Sequence, residues 1–197
     1  MPSTFVLTTP VTSGDPGQAA WTNTNALPGG VKFAQFAVFN STAIPGSDTT
    51  LQPFDVDFTI PAGLLEAGDL FFFSFALNVL VDVGGNDSFV TGVQIGGVNS
   101  LTGTYTQNAG SSGGFVYNSS FGGVPVAGAT GSIVSGGIAN EPPYGTGSIQ
   151  ILGFAFFNVD MTVPVPVRVV WEWQAGAQAG SSAELTALQL QIIKQAP

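Results

Sequence analysis

Carboxylates dominate the acid–base chemistry available to this 197-residue sequence, because the chain contains no histidine and no cysteine. Asp55 and Asp57 alternate within "FDVDFTI" (54–60) and share one face of a predicted strand, about 6–7 Å apart at the strand rise. Glycosidases use carboxylate pairs in a similar range. The opposite face of this strand is apolar, so we expect both aspartates on a solvated face rather than in a sheltered site. The sequence therefore predicts no catalytic residue and no enzyme, with a carboxylate hydrolase as the enzymatic alternative.

A glycine-rich segment offers the clearest oxygen ligands. "DVGGND" (82–87) places Asp82, Asn86 and Asp87 close together, and Ca²⁺ prefers oxygen ligands on flexible loops. The spacing does not match an EF-hand, and a tight hairpin turn explains the same residues without a metal. Thiolate and imidazole ligands are absent from the chain. We therefore predict no metal site and no cofactor.

The three tyrosines, Tyr105, Tyr117 and Tyr144, all fall in the loop-rich middle of the chain. A tyrosine presents a flat apolar face with a polar tip, which suits stacking on a sugar or anchoring a protein contact. We name these residues as candidates for ligand or receptor contact. The alternative is that each ring caps a strand end with its hydroxyl in water.

The composition excludes several partner classes. Charged residues make up 8% of the chain and the net charge is −9, whereas an ordinary soluble domain is roughly 25% charged. Three cationic side chains are too few to neutralise phosphates, so nucleic acid is not an expected partner. Anionic membranes are disfavoured for the same reason, and polar residues interrupt the longest apolar run, which argues against a membrane span. The start of the chain has no signal-peptide pattern.

Apolar runs alternate with Gly/Pro turns at intervals of roughly 10–15 residues, a pattern typical of β-sandwiches and barrels. We predict eight to ten strands in one domain, 31–197, preceded by an extended N-terminal arm, 1–30. An edge strand plus loop explains the arm equally well. At the C-terminus, 181–194 fits a helix, with a capping-box spacing from Ser181 to Glu184, and fits an alternating strand as well.

The stretch "DLFFFSFALNVLVDV" (69–83) has two apolar faces. One face is apolar without a break; the other combines Leu70, Phe72 and Leu80 with small or polar residues. Such a strand fits the centre of a three-layer fold, a position under a loop, or contact with another chain. No crossover helix is predicted between these strands, which argues against three layers. Residues 31–40 and 148–159 also have apolar side chains on both strand faces. We therefore predict a homo-oligomer whose outer sheet face packs on another copy.

Two sets of residues follow from this strand assignment. The predicted inter-subunit contacts are Phe36, Phe72, Leu80 and Phe157. The predicted core residues are Phe54, Phe58, Phe71, Phe73, Phe75, Trp171 and Trp173.

Three segments of the chain resemble one known group of proteins. "FTIPAGLLEAGDLFFF" (58–73), "VQIGGV" (93–98) and "NVDMTVPVPVRVVWEWQAGAQAGSSAELTALQLQIIK" (158–194) are similar, in this order, to segments of jelly-roll or TNF-like structural proteins from virions of tailed bacteriophages. The three segments comprise 59 of the 197 residues, and their motifs are mostly structural. Residues 99–147 lie outside the resemblance.

The resemblance implies an antiparallel jelly-roll β-sandwich, often trimeric, in a capsid decoration protein, head fibre or tail component. It favours a strand at the C-terminus and carries over no catalytic residue. The resulting hypothesis is a virion structural protein, a homotrimer that docks on other virion proteins such as the major capsid protein, with the arm 1–30 as its anchor. A glycan-binding receptor module of a phage fibre or spike is the alternative.

Overall fold

A computed structural model describes residues 6–8, 20–23, 31–38, 41–110, 114–140 and 149–194. These ranges contain thirteen β-strands and no helix. In chain order the strands are β1 Val6–Thr8, β2 Ala20–Asn23, β3 Val31–Val38, β4 Ile44–Pro45, β5 Gln52–Ile60, β6 Leu70–Leu80, β7 Asp87–Ile95, β8 Val98–Gln107, β9 Gly114–Val126, β10 Gly131–Asn140, β11 Ile149–Val159, β12 Val165–Trp173 and β13 Ser182–Ile193.

The strands form two antiparallel sheets. The large sheet has nine strands in the order β1-β2-β3-β13-β6-β9-β10-β11, with β4 also paired to β13. The small sheet has four, in the order β5-β12-β7-β8. Among β4 to β7 the chain changes sheet at every step, and it does so again between β8 and β9 and between β11, β12 and β13. This arrangement confirms the predicted all-β jelly-roll sandwich, although the described ranges hold more strands than the eight to ten expected.

The inner faces of the two sheets share one hydrophobic core. All seven side chains predicted for the core are at most 4% exposed. On the small sheet, Trp171 stacks on Phe89 with ring centroids 4.2 Å apart and contacts Trp173 edge-on at 5.1 Å. Offset and edge-to-face aromatic pairs of this kind add to the stabilisation from burial alone. Buried residues occupy every second position of β12 from Val165 to Trp173, with Val170 buried in addition, and this pattern favours one register between β5 and β7.

Both ends of the chain join the large sheet. β13 lies between β3 and β6, with Leu188, Leu190 and Ile192 fully buried at alternate positions. The strand interpretation of 181–194 is therefore correct and the helical one is wrong. The described parts of the N-terminal arm, β1 and β2, pair with each other and extend the sheet beyond β3, as in the edge-strand alternative. The anchoring role of the arm stays a prediction.

Candidate functional site

The outer face of the large sheet, which points away from the core, carries an exposed apolar surface at one end. We call it the outer patch, and it comprises five residues. Leu70 and Phe72 come from β6, Phe121 from β9, Val134 from β10 and Phe156 from β11. The exposed fractions of the three phenylalanines are 46% for Phe72, 40% for Phe121 and 76% for Phe156.

Strand register brings these residues together. Phe72 lies directly opposite Phe121 in the β6–β9 ladder. In the neighbouring row, Leu70 is opposite Gly123, Gly123 is opposite Val134, and Val134 is opposite Phe156. Directly paired residues share a sheet face, because side chains alternate between faces along each strand. The patch is therefore two adjacent cross-strand rows that span four strands.

A groove with a volume of about 290 Å³ runs through the patch. Its lining consists of Leu70, Phe72, Phe121, Gly122, Gly123 and Val134. None of these side chains has a hydrogen-bonding group. The volume lies at the lower limit of small-molecule pockets, roughly 300–1,000 Å³, which also place a few polar groups for orientation. The groove can therefore accept a compact apolar group, and its side chains offer nothing to orient a polar ligand.

Two adjacent glycines shape the groove in different ways. A Cβ atom on Gly123 would meet its nearest neighbours, Leu70 Cδ2 and a backbone oxygen, at 3.5 Å, which is ordinary contact. A Cβ on Gly122 would lie 2.4 Å from Phe71 Cζ and 2.3 Å from the Val134 carbonyl oxygen. Gly122 is therefore required by the close packing of the core ring of Phe71 and by β10. Gly123 leaves the floor of the groove open, with space for a small side chain.

The structure describes the side chains of three of the four residues predicted as inter-subunit contacts. Of these three, only Phe72 lies in the outer patch. Leu80 is 40% exposed, but it is eight residues further along β6, about 26 Å away at the strand rise. Phe157 is half-buried and packs against the core, whereas the neighbouring Phe156 is 76% exposed; an inter-subunit contact for Phe157 stays a prediction. The side chain of Phe36 lies outside the described residues.

Sequence reasoning missed Phe121 and Phe156. In "GFAFF" (153–157), both strand faces are apolar, so alternation alone cannot tell which phenylalanine faces the core. The β10–β11 ladder resolves it by pairing Phe157 with the buried Ile133. Phe121 lies in a segment rich in glycine and serine, and its pairing with Phe72 is a long-range contact that no local pattern reveals.

Of the three candidate tyrosines, the structure describes the side chain of Tyr105. Tyr105 is 1% exposed and stacks on Phe89 with ring centroids 5.6 Å apart. It is therefore a core residue, and its prediction as a ligand or receptor contact is wrong. The side chain of Tyr117, on β9, and the whole of Tyr144 lie outside the described residues.

The strand-borne aspartates have structural partners. Asp57 forms a salt bridge with Arg168 at 2.9 Å, and Asp55 accepts hydrogen bonds from the backbone N–H and the hydroxyl of Thr42. Both aspartates are exposed, as expected for the solvated face of β5. Within the described ranges, no group of three or more acidic residues could hold a metal ion.

The proposed oxygen ligands of 82–87 also serve as structural groups. Asp87 is 1% exposed, and its carboxylate accepts hydrogen bonds from the Gln178 N–H and the Ser181 hydroxyl. The Asn86 side-chain oxygen accepts one from the Ala109 N–H at 2.9 Å. Donors from the protein therefore engage both Asp87 and Asn86. The contacts of Asp82 and Asp87 join the β6–β7 turn to 174–181, and we call the Asp82–Ser181–Asp87 group the loop clasp.

Comparison with known proteins gives similarity at a low level. No protein-family model matches the chain, and no curated protein matches it significantly. The similar solved structures include the CBM2 module of an evolved Dit protein from Lactobacillus casei BL23 phage J-1, with 12% identity, a TM-score of 0.36, and coverage of 98% of this chain and 83% of that one. The winged bean acidic lectin, in complex with methyl-α-D-galactose, has 11% identity, a TM-score of 0.32, and coverages of 98% and 93%. The lectin I-B4 of Griffonia simplicifolia, in a metal-free form, has 13% identity, a TM-score of 0.30, and coverages of 89% and 87%. At these TM-scores the likeness carries no functional argument. In the part of the chain described, no helix has the length and hydrophobicity to cross a membrane.

Proposed function

We propose that the protein is a non-enzymatic structural subunit of a tailed-bacteriophage particle and that it assembles as a homotrimer through the outer patch. The observation that carries the proposal is the exposed apolar surface formed by Phe72, Phe121 and Phe156 on the outer face of the large sheet. The virion assignment is supported by the resemblance of three sequence segments to virion jelly-roll proteins.

The exposed area is large enough to matter. With about 200 Å² for each phenylalanine side chain, the three exposed fractions leave on the order of 300 Å² of aromatic surface in water. That lies at the lower end of the roughly 300–600 Å² found for the largest apolar patch on a typical monomer, and such patches are often functional. A standard interface buries about 800 Å² per partner around a more apolar centre. The outer patch has the size and composition of such a centre, and surrounding polar surface would supply the rest.

The glycan-binding alternative has less support from the same residues. One of its three tyrosines is in the core, and the side chains that line the groove have no hydrogen-bonding group. A sugar needs polar partners for its hydroxyls in addition to an aromatic platform.

The first experiment measures assembly in solution. Sedimentation velocity of the purified chain at micromolar concentration should give a species with three times the 20.1 kDa chain mass. A Phe72→Ser variant should shift that species toward smaller mass. A stable monomer at tens of micromolar would refute self-assembly through the patch.

The second experiment tests the virion assignment. Mass spectrometry of purified particles from the source of this sequence should detect the chain at a fixed ratio to the major capsid protein. A version that lacks 1–30 should keep its oligomeric state and lose attachment to particles. Absence of the chain from purified particles would refute the assignment while leaving the oligomer intact.

A further inference from the structure

We infer that the Phe156 ring of one copy inserts into the groove of a second copy, so that the groove is the receptor for a residue of this same chain. The inference rests on the proposed self-assembly and deepens it by naming the contact. In a closed trimer, each copy would give its ring to the next and receive one, which is a heterologous contact that closes into a ring.

The outer patch contains both halves of such a contact. Phe156, at 76% exposed, is the most exposed aromatic side chain within the ranges where side chains are described. The groove, with a volume of about 290 Å³, opens beside it, since Val134 lines the groove and is the direct cross-strand partner of Phe156. Gly123, at the floor, lies one strand further in. Because strands are about 4.8 Å apart, Gly123 and Phe156 are separated by about 10 Å within one copy, so the ring stands beside its own groove.

The apolar lining and the small volume of the groove favour an aromatic ring from a second copy over other ligands. Its apolar side chains favour an apolar group, and its volume is at the lower limit for a small-molecule pocket. Anionic lipid surfaces attract basic proteins, whereas this chain has a net charge of −9. A second copy supplies an exposed aromatic ring at a concentration equal to that of the groove. Insertion would remove two exposed apolar surfaces from water in one contact.

The area also fits a partner of this kind. The patch alone exposes on the order of 300 Å² of aromatic surface, less than half of the approximately 800 Å² per partner in a standard interface. A contact of that size holds only when it is repeated, and a ring of identical copies repeats it once per subunit. An aromatic anchor in a pocket at the centre of an interface is the usual form of a binding hot spot.

Cysteine cross-linking tests the contact directly, because the natural chain has no cysteine. Two single-cysteine variants, Gly123→Cys and Asn158→Cys, are mixed and treated with a short bismaleimide; Asn158 is exposed and lies two residues from Phe156 on the same strand face, so the ring itself stays in place. The cross-link from position 123 to position 158 should form faster than either cross-link between like positions. A Val83→Cys variant, at an 83% exposed site away from the patch, is the matched control and should form no preferred cross-link.

Association measurements provide the second test. Phe156→Ser removes roughly 150 Å² of apolar surface from the contact, which corresponds to about 500-fold weaker association if the ring becomes fully buried. Val83→Ser makes the same type of change at a similarly exposed position and should alter association less than about threefold. Because both side chains are exposed, neither variant should lower the stability of the folded subunit substantially.

The outcomes separate this inference from the proposed function. If the natural chain is oligomeric but Phe156→Ser behaves like Val83→Ser and no 123–158 cross-link forms, the inference is overturned and self-assembly stands. If the cross-link forms and the chain is absent from particles, the virion assignment fails and the inference stands. A monomeric natural chain overturns both.

Discussion

Removing the Ser181 hydroxyl from the loop clasp should destabilise the fold more than any comparable serine substitution at the surface. Ser181 is 1% exposed. Its hydroxyl donates to the buried carboxylate of Asp87 and accepts from the Asp82 N–H at 2.9 Å. Ser181→Ala would leave both of these partners with an unmet hydrogen bond in a region that excludes water.

The magnitude follows from the two lost contacts. A hydrogen bond to a charged group contributes about 1.5–3 kcal/mol and a neutral one about 1 kcal/mol. Asp87 keeps its contacts from the Gln178 N–H at 3.1 and 3.2 Å, so the carboxylate is not left without donors. We therefore expect the free energy of unfolding to fall by about 3 kcal/mol. For a domain of this size, that corresponds to a decrease in melting temperature of about 6–12 °C.

Guanidinium unfolding followed by tryptophan fluorescence measures this change, because Trp171 and Trp173 are fully buried. Ser88→Ala is the control: its hydroxyl contacts the Thr106 hydroxyl at 2.7 Å on an exposed surface, and its loss should cost less than about 0.5 kcal/mol. All variants are compared at one protein concentration, since association contributes to apparent stability. If Ser181→Ala lowers the unfolding free energy by no more than Ser88→Ala does, the loop clasp is not a significant source of stability.

Three further predictions address the groove, the core and one exposed carboxylate. Gly122→Ala should destabilise by about 1–3 kcal/mol, because its Cβ would lie 2.3 Å from a carbonyl oxygen, whereas Gly123→Ala should leave stability unchanged or higher; equal unfolding free energies in denaturant titrations would contradict this. Trp173→Phe should cost about 2 kcal/mol in the same assay, because it removes a buried indole N–H bond to a carbonyl oxygen at 3.1 Å along with packed volume; a loss under about 0.5 kcal/mol would count against it. Hydrogen bonds from the Thr162 hydroxyl and N–H lower the pKa of the Asp160 carboxyl, so the small stabilisation that this group provides is present at neutral pH and is lost as the pH falls through the lowered pKa. In NMR titration, Thr162→Val should move the Asp160 midpoint upward, and an unchanged midpoint would contradict the assignment.

Local sequence patterns were sufficient to predict the fold class and the core. In β12, the large apolar residues Val165, Val167, Val169, Trp171 and Trp173 occupy every second position and are all buried, whereas the other face holds Arg168 and Glu172. The same logic placed Phe71, Phe73 and Phe75 correctly on the inner face of β6. The segment 181–194 is different, because its apolar residues fit two periods, and only its pairing between β3 and β6 decides the outcome.

The candidate site could be predicted only in part. Phe72 was identified because it lies, with Leu70 and Leu80, on the second, partly apolar face of a strand whose first face is apolar throughout. Phe156 and Phe157 are adjacent and both apolar, so only the β10–β11 register decides which ring points toward the core. Tyr105 shows the opposite error: a tyrosine in a loop-rich segment lies in a strand, stacked on Phe89 inside the core. In each case, a long-range contact decided what composition and spacing left open.

The outer face of the large sheet is not uniformly apolar, and this limits where assembly can occur. Midway along β6, Ser74 contacts Gln189 of β13 on the outer face, and the outward positions of β13 include Glu184 and Gln191. This part of the face can be solvated without a partner. Among the described side chains, the exposed phenylalanines Phe121 and Phe156 lie instead toward β9, β10 and β11.

The strands that carry the outer patch also contribute to the core. Ile133 of β10 and Val159 of β11 belong to the hydrophobic core, whereas Val134 of β10 and Phe156 of β11 belong to the outer patch. Val134 and Phe156 lie outside the three segments that resemble virion jelly-roll proteins, whereas Leu70 and Phe72 lie inside one of them, 58–73. The proposed assembly surface therefore combines residues from both kinds of segment, and substitutions at the outward positions of β10 and β11 should alter assembly while leaving the jelly roll folded.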